Sequence, residues 1–595
     1  MRKSIVLALI ALLAGFQLMN AMPARPGAFT VTQPDGTKLV VRLHGDEFGH
    51  WMTDVQGHVI RQEEDGFFRR VSDLEAAQLR RGAPARRTAA QETRAARAQQ
   101  HIAFGEKHFF VVLVEFQDKA YSVQDPQAAF TALLNEPGYS VNNGTGSARD
   151  FYYENSQGRF TPVFDVYGPV KLSQKMSYYG GNSGGSDKAA EEAVIEACQA
   201  LDEEVDFSQY DNDGDGEVDL VFMYYAGYNE AEGGSANTIW PHQWELSSAG
   251  KSLTLDETKI DSYACTSELT GNWGKTMCGI GTASHEFAHA MGLPDFYDID
   301  GGTNGYASGL FSFSLMDSGG YNNNGRTPPY FNFVERVMLG WLTDDDYLEF
   351  SETGDYTLTT VQDDVAYRTA TDMNGAYFVY ECRGSNGWDS SLPAHGLLVY
   401  HVDKSERSVR IGSGNVKASR LWSQWKWYNS INENGSHPCF YIIPAADQEN
   451  LAYGSFSYGD NYYFDDSYAP KIPFPGSEGV TEYSPVSWNG KQGLVSFSQI
   501  AYSQDVVQLH ATVSTGELDF VTIENPGSYQ AGGRFTFKLV RPEAVEAPAS
   551  VVWYYDDEPA GAASVTLTRG AHVIDAYLTY ADGRKETLTL EIQVK

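Results

Sequence analysis

The spacing of hydrophobic and polar residues divides this chain into several regions with different predicted structure. Residues 22–79 carry short apolar runs separated by turn residues, which predicts a small β-rich region. Between residues 106 and 345 the pattern predicts strands over 109–116 and 218–225 and helices over 128–134 and 188–201. Strands that alternate with helices indicate an α/β or α+β domain with a helix lying across a twisted sheet.

The second half of the chain follows a different pattern. Residues 346–512 alternate β-like runs with loops rich in Gly, Ser and Asn, which predicts a β-rich accessory domain. Over residues 513–595 the runs are shorter, and Asp582-Gly583 suits a hairpin turn. About 80 residues of this type predict an immunoglobulin-like β-sandwich. The 595-residue length suits several such domains.

One segment carries a strong chemical signal. Residues 285–295 have the sequence His-Glu-Phe-Ala-His-Ala-Met-Gly-Leu-Pro-Asp. On a helix, His285 and His289 share one face, one turn apart, and can hold one zinc ion, while Glu286 can act as general base on a water molecule. Gly292 permits a sharp turn that brings Asp295 back as a third ligand.

A rival third ligand lies further along the chain. Glu335 falls in a predicted helix over 331–339, and a downstream helical glutamate completes the zinc site of another class of enzymes with this motif. We favour Asp295, because the turn at Gly292 has no other evident purpose. Met316, in the turn-like segment 314–319, suits the methionine that lies beneath the zinc in metzincins.

Motifs that extend over roughly residues 25–510 resemble the secreted metallopeptidases related to immune inhibitor A. Besides the zinc motif and segment 314–319, they are found at 45–48, 210–216, 239–242, 324–329, 340–342 and 392–398. The resemblance implies a secreted, metzincin-like zinc endopeptidase that acts on proteins or peptides, is made as a zymogen and often binds calcium. Several metzincins place a tyrosine two residues after the turn methionine. Here that position is Ser318, and either Tyr321 or Tyr330 could stabilise the oxyanion instead.

A run of aspartates precedes the second predicted strand of the catalytic region. Asp211, Asp213 and Asp215, followed by Gly216, match the first half of an EF-hand loop. Position twelve is Phe222 rather than glutamate, so a true EF-hand is excluded. Closely spaced carboxylates repel one another without a cation. We therefore predict a calcium loop, with a ligand set of Asp211, Asp213, Asp215, Glu217 and Asp219.

Charge and the first residues indicate an exported protein. The formal net charge is −35, and this acidity argues against nucleic acid and anionic membranes as partners. Arg2 and Lys3 precede an apolar run over 5–16, which predicts a signal peptide at 1–21, cleaved after Ala21, with Ala24 as a rival cleavage residue. No other run approaches transmembrane length. We expect a secreted or cell-surface monomer.

The region between the signal peptide and the catalytic region, residues 22–105, suits a pro-domain. Its paired arginines at 80–97 predict an exposed connector open to proteolysis, although a basic helix is the alternative. It contains no cysteine, so a carboxylate of Asp46 or Glu47 is the group we expect to block the zinc site. Of the five cysteines, Cys265 and Cys278 are the most plausible disulfide pair.

A second function from another class also fits the long β-rich tail. The chain could be a surface adhesin or binding protein built on an inactive peptidase fold. The intact zinc motif and Gly292 argue against this alternative, because an inactive site has no reason to retain them. The sequence therefore predicts residues 106–345 as a catalytic metallopeptidase domain with zinc and calcium as its metals.

Overall fold

The structure is a computed structural model. It describes residues 22–46, 49–63, 65–80, 100–182, 187–299, 307, 309–373, 375–404, 408–410, 418–420, 425, 431–432, 437–447, 468–488, 490–515, 521–543, 545–556, 558–560, 564–581 and 585–595. The predicted signal peptide, the connector after Arg80, Glu47 and the hairpin turn at Asp582-Gly583 lie outside this set.

The first described region is an antiparallel sheet in which each strand pairs with the next one along the chain. Its strands are β1 Ala28–Thr32, β2 Lys38–Asp46, β3 Gly49–Asp54, β4 Val59–Gln62 and β5 Phe68–Arg70. Helix α1, Asp73–Arg80, packs on this sheet, where Trp51, Val59 and Val71 form a small core. The region is β-rich, as its alternating pattern predicts.

The central element of the next region is a mixed five-stranded sheet. Its strands are β6 Gly105–Glu115, β7 Phe160–Lys171, β9 Val221–Tyr225, β10 His242–Glu245 and β13 Ser262–Ser267, in the order β10-β13-β9-β6-β7. A smaller sheet of β8 Glu217–Val218, β11 Leu253–Leu255 and β12 Thr258–Ile260 lies beside it. Within the central sheet only the β10–β13 pair is antiparallel among the described ladders.

Both faces of this sheet are covered. Along β6, Phe109, Val111 and Leu113 join one hydrophobic cluster, and Phe110, Val112 and Val114 join another on the opposite face. The helices of the region are α2 Pro126–Asn135, α3 Ala148–Asn155, α4 Met176–Tyr179, α5 Ala190–Ala200, α6 Gly281–Ala290 and α7 Phe333–Met338. Two covered faces explain why residues 109–114 of β6 are all apolar rather than alternating with polar residues.

Two sequence predictions for this region need correction. The strand expected over 218–225 is two strands in different sheets, β8 and β9. The chain turns between them, where the Asp219 amide donates to the Tyr210 carbonyl and the Asp219 carboxylate accepts from Asn212. The disulfide between Cys265 and Cys278 is also wrong, because all five cysteines are free thiols. The Cys265 thiol is buried against His242 instead.

The following region is all-β in its described part except for short 3₁₀ turns. One sheet has the order β14-β16-β17-β18-β21, another β15-β23-β22, and β19 pairs with β20. These strands are β14 Leu348–Glu349, β15 Gly354–Leu358, β16 Ala366–Ala370, β17 Ala376–Arg383, β18 Gly396–Asp403, β19 Ser408–Arg410, β20 Ala418–Arg420, β21 Phe440–Ile442, β22 Val495–Ser503 and β23 Val506–Val513.

This β region shares one hydrophobic core with one face of the central five-stranded sheet and the helices packed on it. A buried arginine on β17 strengthens the junction. Arg383 donates to the carbonyl oxygens of Phe313 (3.0 Å) and Tyr330 (2.9 Å), and it forms a two-pronged ion pair with Asp389. Because Arg383 and Asp389 are fully buried, breaking this pair would leave an uncompensated charge in the interior.

The last region has its own core, which includes Phe535, Ile574 and Leu578. Its strands are β24 Thr522–Ile523, β25 Arg534–Thr536, β26 Leu539–Val540, β27 Ser550–Tyr555, β28 Glu558–Pro559, β29 Ser564–Thr566, β30 Gly570–Thr579 and β31 Lys585–Val594. They form a four-stranded sheet, β28-β27-β30-β31, and two shorter ladders. The region is all-β, and its immunoglobulin-like topology stays a prediction. Among the residues described here, no helix has the length and apolar character to cross a bilayer.

Candidate active site

The zinc motif forms a helix that is packed unusually closely at its start. Helix α6 spans Gly281–Ala290, and both histidines of the motif are buried on it. A Cβ atom at Gly281 would lie only 1.9 Å from the Gly320 carbonyl oxygen. The absence of a side chain at Gly281 therefore lets the segment that follows Met316 lie directly against the motif helix.

Backbone carbonyls orient both imidazoles. Nδ1 of His285 lies 2.7 Å from the Leu315 carbonyl oxygen, and Nδ1 of His289 lies 2.7 Å from that of Leu293. A carbonyl oxygen can only accept, so each Nδ1 carries a proton and donates it. In the neutral ring each Nε2 then carries the lone pair that a metal ion would bind, and the two Nε2 atoms lie 3.0 Å apart.

The turn after the helix brings Asp295 to the same point. Gly292 has φ of +100°, a left-handed conformation that other residues rarely adopt. Oδ1 of Asp295 lies 3.2 Å from Nε2 of His285 and 3.3 Å from Nε2 of His289. Burial alone would raise the pKa of the Asp295 carboxyl, but the two imidazoles outweigh it and hold that pKa well below its ordinary value.

This donor set suits a zinc ion. Two imidazole nitrogens and one carboxylate oxygen, all buried, converge within 4.8 Å of one another. His and Asp are ordinary zinc ligands, and three protein ligands are typical of a catalytic site. Glu286 is the next residue after His285 and is buried beside this set, but it belongs to no metal-binding group among the described residues.

The segment around Met316 makes backbone hydrogen bonds that hold the predicted zinc ligands in place. Ser314–Gly319 makes a tight turn in which the Gly319 amide donates to the Ser314 carbonyl. The Met316 carbonyl accepts from the amide of Phe296, the residue directly after Asp295 (2.9 Å). Together with the Leu315 contact to His285, this turn fixes two of the three converging groups.

Glu335, the rival third ligand, occupies a different position. Its Oε1 accepts from the Ser314 hydroxyl (2.5 Å), and its Oε2 accepts from the Asn332 amide at the start of α7. Burial raises the pKa of the Glu335 carboxyl to about 7. Glu335 is therefore brought to the turn that holds Met316, whereas Asp295 is brought to the two histidines.

The two candidate tyrosines are separated by the fold. The Tyr321 hydroxyl donates to the Pro23 carbonyl (2.7 Å), in a chain segment that also contacts Glu286. The Tyr330 hydroxyl instead donates to Glu154 (3.3 Å). Of the two residues, Tyr321 alone is placed beside the zinc motif, so Tyr330 does not fit the role of oxyanion stabiliser.

The first residues that the structure describes lie in the site. The backbone nitrogen of Met22 is 3.0 Å from Oε1 of Glu286, and the Trp240 indole donates to the Met22 carbonyl (3.0 Å). Asp46 does not block the zinc site as predicted, because its carboxylate accepts a hydrogen bond from the Gly49 amide within its own hairpin. The contact with Met22 is not evident from the sequence, where the two residues are 264 positions apart and no motif marks Met22.

The aspartate loop brings together part of its predicted ligand set. Carboxylate oxygens of Asp211, Asp213 and Asp215 lie within 4.8 Å of one another, with Asp213 and Asp215 exposed. The Asp211 carboxylate already accepts from the amides of Gly214, Asp215 and Gly216. The fold of the loop thus brings three carboxylates close together.

The other two predicted calcium ligands have protein partners instead. Lys259 donates to Oε1 of Glu217 (2.9 Å). The side chain of Asn212 donates to Oδ2 of Asp219 (2.6 Å), and burial raises the pKa of the Asp219 carboxyl to about 6. Neither residue joins the three-aspartate group among the described residues.

Comparison with known proteins gives matches for the catalytic region. The family described as immune inhibitor A peptidase M6, catalytic domain, matches residues 100–336. Pre-pro-metalloprotease PrtV of Vibrio cholerae is 28% identical over 253 residues, which cover 38% of this chain and 27% of that protein. Immune inhibitor A of Bacillus thuringiensis is 23% identical over 271 residues, which cover 37% of this chain and 38% of that protein.

The match to each of these relatives thus spans well under half of the relative's length. Among solved structures, OgpA of Akkermansia muciniphila aligns over 82% of this chain and 92% of its own, at 10% identity and a TM-score of 0.22, a likeness too low to support any argument. The family match coincides with the region that carries the buried His285, His289 and Asp295. Residues 100–336 of this chain are therefore similar to the catalytic domain of the immune inhibitor A metallopeptidases.

Proposed function

We propose that this protein is a zinc-dependent endopeptidase that hydrolyses polypeptides. The observation that carries the proposal is the convergence of His285, His289 and Asp295 on one buried point directly beside Glu286. The family match supports the same reaction class. It also favours hydrolysis over the alternative of an adhesin with an inactive peptidase fold.

His285, His289 and Asp295 would hold the metal. A zinc ion bound there supplies Lewis acidity, which makes a water molecule easier to deprotonate and polarises the scissile carbonyl. Glu286 takes the proton of the attacking water on its carboxylate and then passes it to the leaving amine. Tyr321, whose hydroxyl already donates to a peptide carbonyl, is placed to bind the backbone of the substrate.

The chain is a zymogen in this proposal, with residues 22–105 as its pro-region. The Met22 contact with Glu286 supports this, because the general base cannot serve a substrate while a pro-region nitrogen lies 3.0 Å from it. Cleavage of the signal peptide after Ala21 would make this nitrogen the α-amine of the exported chain. The blocking group is then the start of the pro-region rather than Asp46.

Three further features belong to the same proposal. Asp211, Asp213 and Asp215 bind calcium, supported by their shared cradle of carboxylates. The protein is exported by its signal peptide and acts outside the cytoplasm as a monomer. The last region, from about residue 513, forms an immunoglobulin-like domain whose separate core is consistent with independent packing.

The function is tested with the full chain, activated by limited proteolysis in the connector at 81–99. Glu286→Ala should retain zinc, measured by elemental analysis, and lose about 10²–10⁴-fold in the rate of hydrolysis of an unfolded protein. Glu349→Ala, which changes an exposed glutamate on β14, is the matched control and should keep the parent rate. Equal rates for the Glu286→Ala variant and the parent would refute the mechanism.

A further inference from the structure

The segment from Met22 to Arg25 lies in the site as a cleaved substrate would. Glu286 must deliver a proton to the leaving amine, and the Met22 nitrogen lies 3.0 Å from its Oε1, where that amine would be. The residues that follow Met22 therefore correspond to the substrate residues on the C-terminal side of the cleaved bond. Arg25 corresponds to the third residue after the one whose nitrogen is released.

Main-chain contacts hold this segment in a way that another peptide could reproduce. Trp240 donates to the Met22 carbonyl, and Tyr321 donates to the Pro23 carbonyl. The Arg25 amide donates to the Ala231 carbonyl (2.9 Å). None of these contacts depends on the identity of the side chain that occupies the position.

The side chain of Arg25 makes the specific contacts. Its Nη1 lies 3.1 Å from Oε2 of Glu232, and its Nη2 lies 2.6 Å from Oδ1 of Asn324. Both partners belong to the catalytic region, and the Glu232 side chain is 8% exposed while that of Arg25 is 33% exposed. The guanidinium thus covers a carboxylate that is otherwise nearly enclosed by protein.

The Glu232 carboxylate is fixed by groups that do not belong to the pro-region. Its Oε1 accepts from Asn229 (3.1 Å), and its Oε2 accepts from the Thr270 hydroxyl (2.8 Å) and the Gly271 amide (2.9 Å). These neutral donors hold the carboxylate in position. When the pro-region leaves, an enclosed carboxylate remains in the same place and favours a new cation.

We propose that Glu232, assisted by Asn324, is a specificity-determining residue that selects arginine or lysine in the substrate, three residues after the residue whose nitrogen is released. This inference rests on the proposed peptidase function and adds a preferred substrate class to it. Glu232 thus binds two cations in turn. It first binds Arg25 of the pro-region, and after the pro-region has left it binds a basic residue of the substrate.

The test uses the full chain activated by limited proteolysis at 81–99, loaded with zinc and separated from the released pro-fragment. Two quenched fluorescent peptides both contain Met-Pro-Ala after the cleavage point and differ only in having Arg or Gln as the next residue. The parent should cleave the Arg peptide with a kcat/KM about tenfold higher, as expected for one charge-assisted hydrogen bond. Glu232→Gln should reduce this ratio to near one.

Two more variants test whether the ratio of kcat/KM for the Arg and Gln peptides depends on this subsite. Asn324→Ala should reduce the Arg-to-Gln ratio only in part, because the ion pair remains. Glu230→Gln is the matched control. It changes a buried glutamate in the same loop that pairs with His50 rather than with Arg25, and it should leave the ratio as in the parent. Equal cleavage of the two peptides by the parent, or an unchanged ratio in Glu232→Gln, would overturn the proposal.

A binding measurement separates this proposal from the proposed function. The tetrapeptide amides Met-Pro-Ala-Arg and Met-Pro-Ala-Gln are titrated into the same activated protein by calorimetry. Tighter binding of the Arg peptide that is lost in Glu232→Gln supports the subsite even if no peptide is cleaved, an outcome that would refute the peptidase function alone. Equal binding of the two peptides, or no binding of either, would overturn the proposed subsite, whatever the rate of peptide cleavage.

Discussion

The zinc-motif site and the aspartate loop both gather acidic or imidazole groups, but the fold prepares them differently. In the first, His285, His289 and Asp295 are buried, and backbone carbonyls orient the two rings. In the second, Asp213 and Asp215 are exposed to solvent, and the loop's own amides bond the carboxylate of Asp211. The first site depends in part on a distant segment, because Leu315 orients His285, whereas the second depends on its neighbours in sequence.

This difference indicates what each metal contributes. A buried site whose ligands are fixed from outside has its geometry before the metal arrives, which suits chemistry on a substrate. An exposed loop with local bonds gains order when the cation neutralises its charges, which suits stabilisation. We therefore expect changes in the first site to affect activity most, and changes in the second to affect stability most.

The largest effect should come from Asp295→Ala. Loss of one of three converging ligands should lower zinc content and reduce peptide hydrolysis by at least about 100-fold, the upper end of the cost of losing an outer partner of a metal ligand. Elemental analysis and a peptide assay measure the two quantities. Glu335→Gln, which removes the charge from the rival carboxylate, should keep zinc. If Glu335→Gln lost zinc and Asp295→Ala did not, the assignment of the third ligand would be reversed.

A smaller effect, on stability alone, should come from the aspartate loop. Saturating calcium should raise the Tm of the full chain by about 2 °C, because a ligand at a hundred times its Kd stabilises by about 2.7 kcal/mol and a chain of this length unfolds with an entropy of about 1.2 kcal/mol/K. Asp213→Ala should abolish that increase and leave zinc content as in the parent. Scanning calorimetry with and without calcium measures it, with exposed Asp355→Ala as the matched control. A calcium-dependent Tm in Asp213→Ala would place the ion elsewhere.

The smallest effect concerns the docking of the first sheet, β1–β5, through His50, and it depends on pH. His50 on β3 lies 3.0 Å from Glu230, stacks on Trp240 and has its Nδ1 against the Asp46 carbonyl. Burial lowers the pKa of His50, but Glu230 and, more weakly, Asp46 outweigh it, so the net pKa is raised.

Because the pKa of His50 is raised, its ion pair with Glu230 stabilises the docked sheet fully at any pH below the ordinary histidine pKa. That stabilisation is lost as the pH rises through the raised pKa. Hydrogen exchange of β1–β3 in the full chain should therefore accelerate a few-fold above that pH. In His50→Gln this pH dependence should disappear, whereas His58→Gln, in the same sheet, should retain it. An unchanged pH profile in His50→Gln would contradict the role of the ion pair.

Local signals in the sequence predicted much of the fold and part of the site. The strand over 109–116 and the helix over 128–134 match β6 and α2 to within a few residues, because an apolar run and helical spacing are local properties. Gly292 predicted a left-handed turn for the same reason, and its φ of +100° confirms it. These features depend on neighbours in the chain.

What the sequence did not predict depends on distant contacts. The pairing of Cys265 with Cys278 is wrong because the fold encloses Cys265 beside His242. Tyr330 and Tyr321 look equivalent in sequence, yet only Tyr321 is turned toward the pro-region segment. The position of Met22 against Glu286 requires the whole pro-region sheet to be docked, and spacing along the chain carries no information about it.

The buried Arg383 has a consequence for how this chain can be divided into fragments. It is supplied by the β region, yet it bonds the carbonyls of Phe313 and Tyr330 on both sides of the turn that holds Met316. A fragment that stopped at the end of the family match would lose this support and expose half of a shared core. The smallest fragment that keeps the candidate active site intact is therefore longer than the region of the family match, and exchanging the β region by recombination would also exchange part of the support of that site.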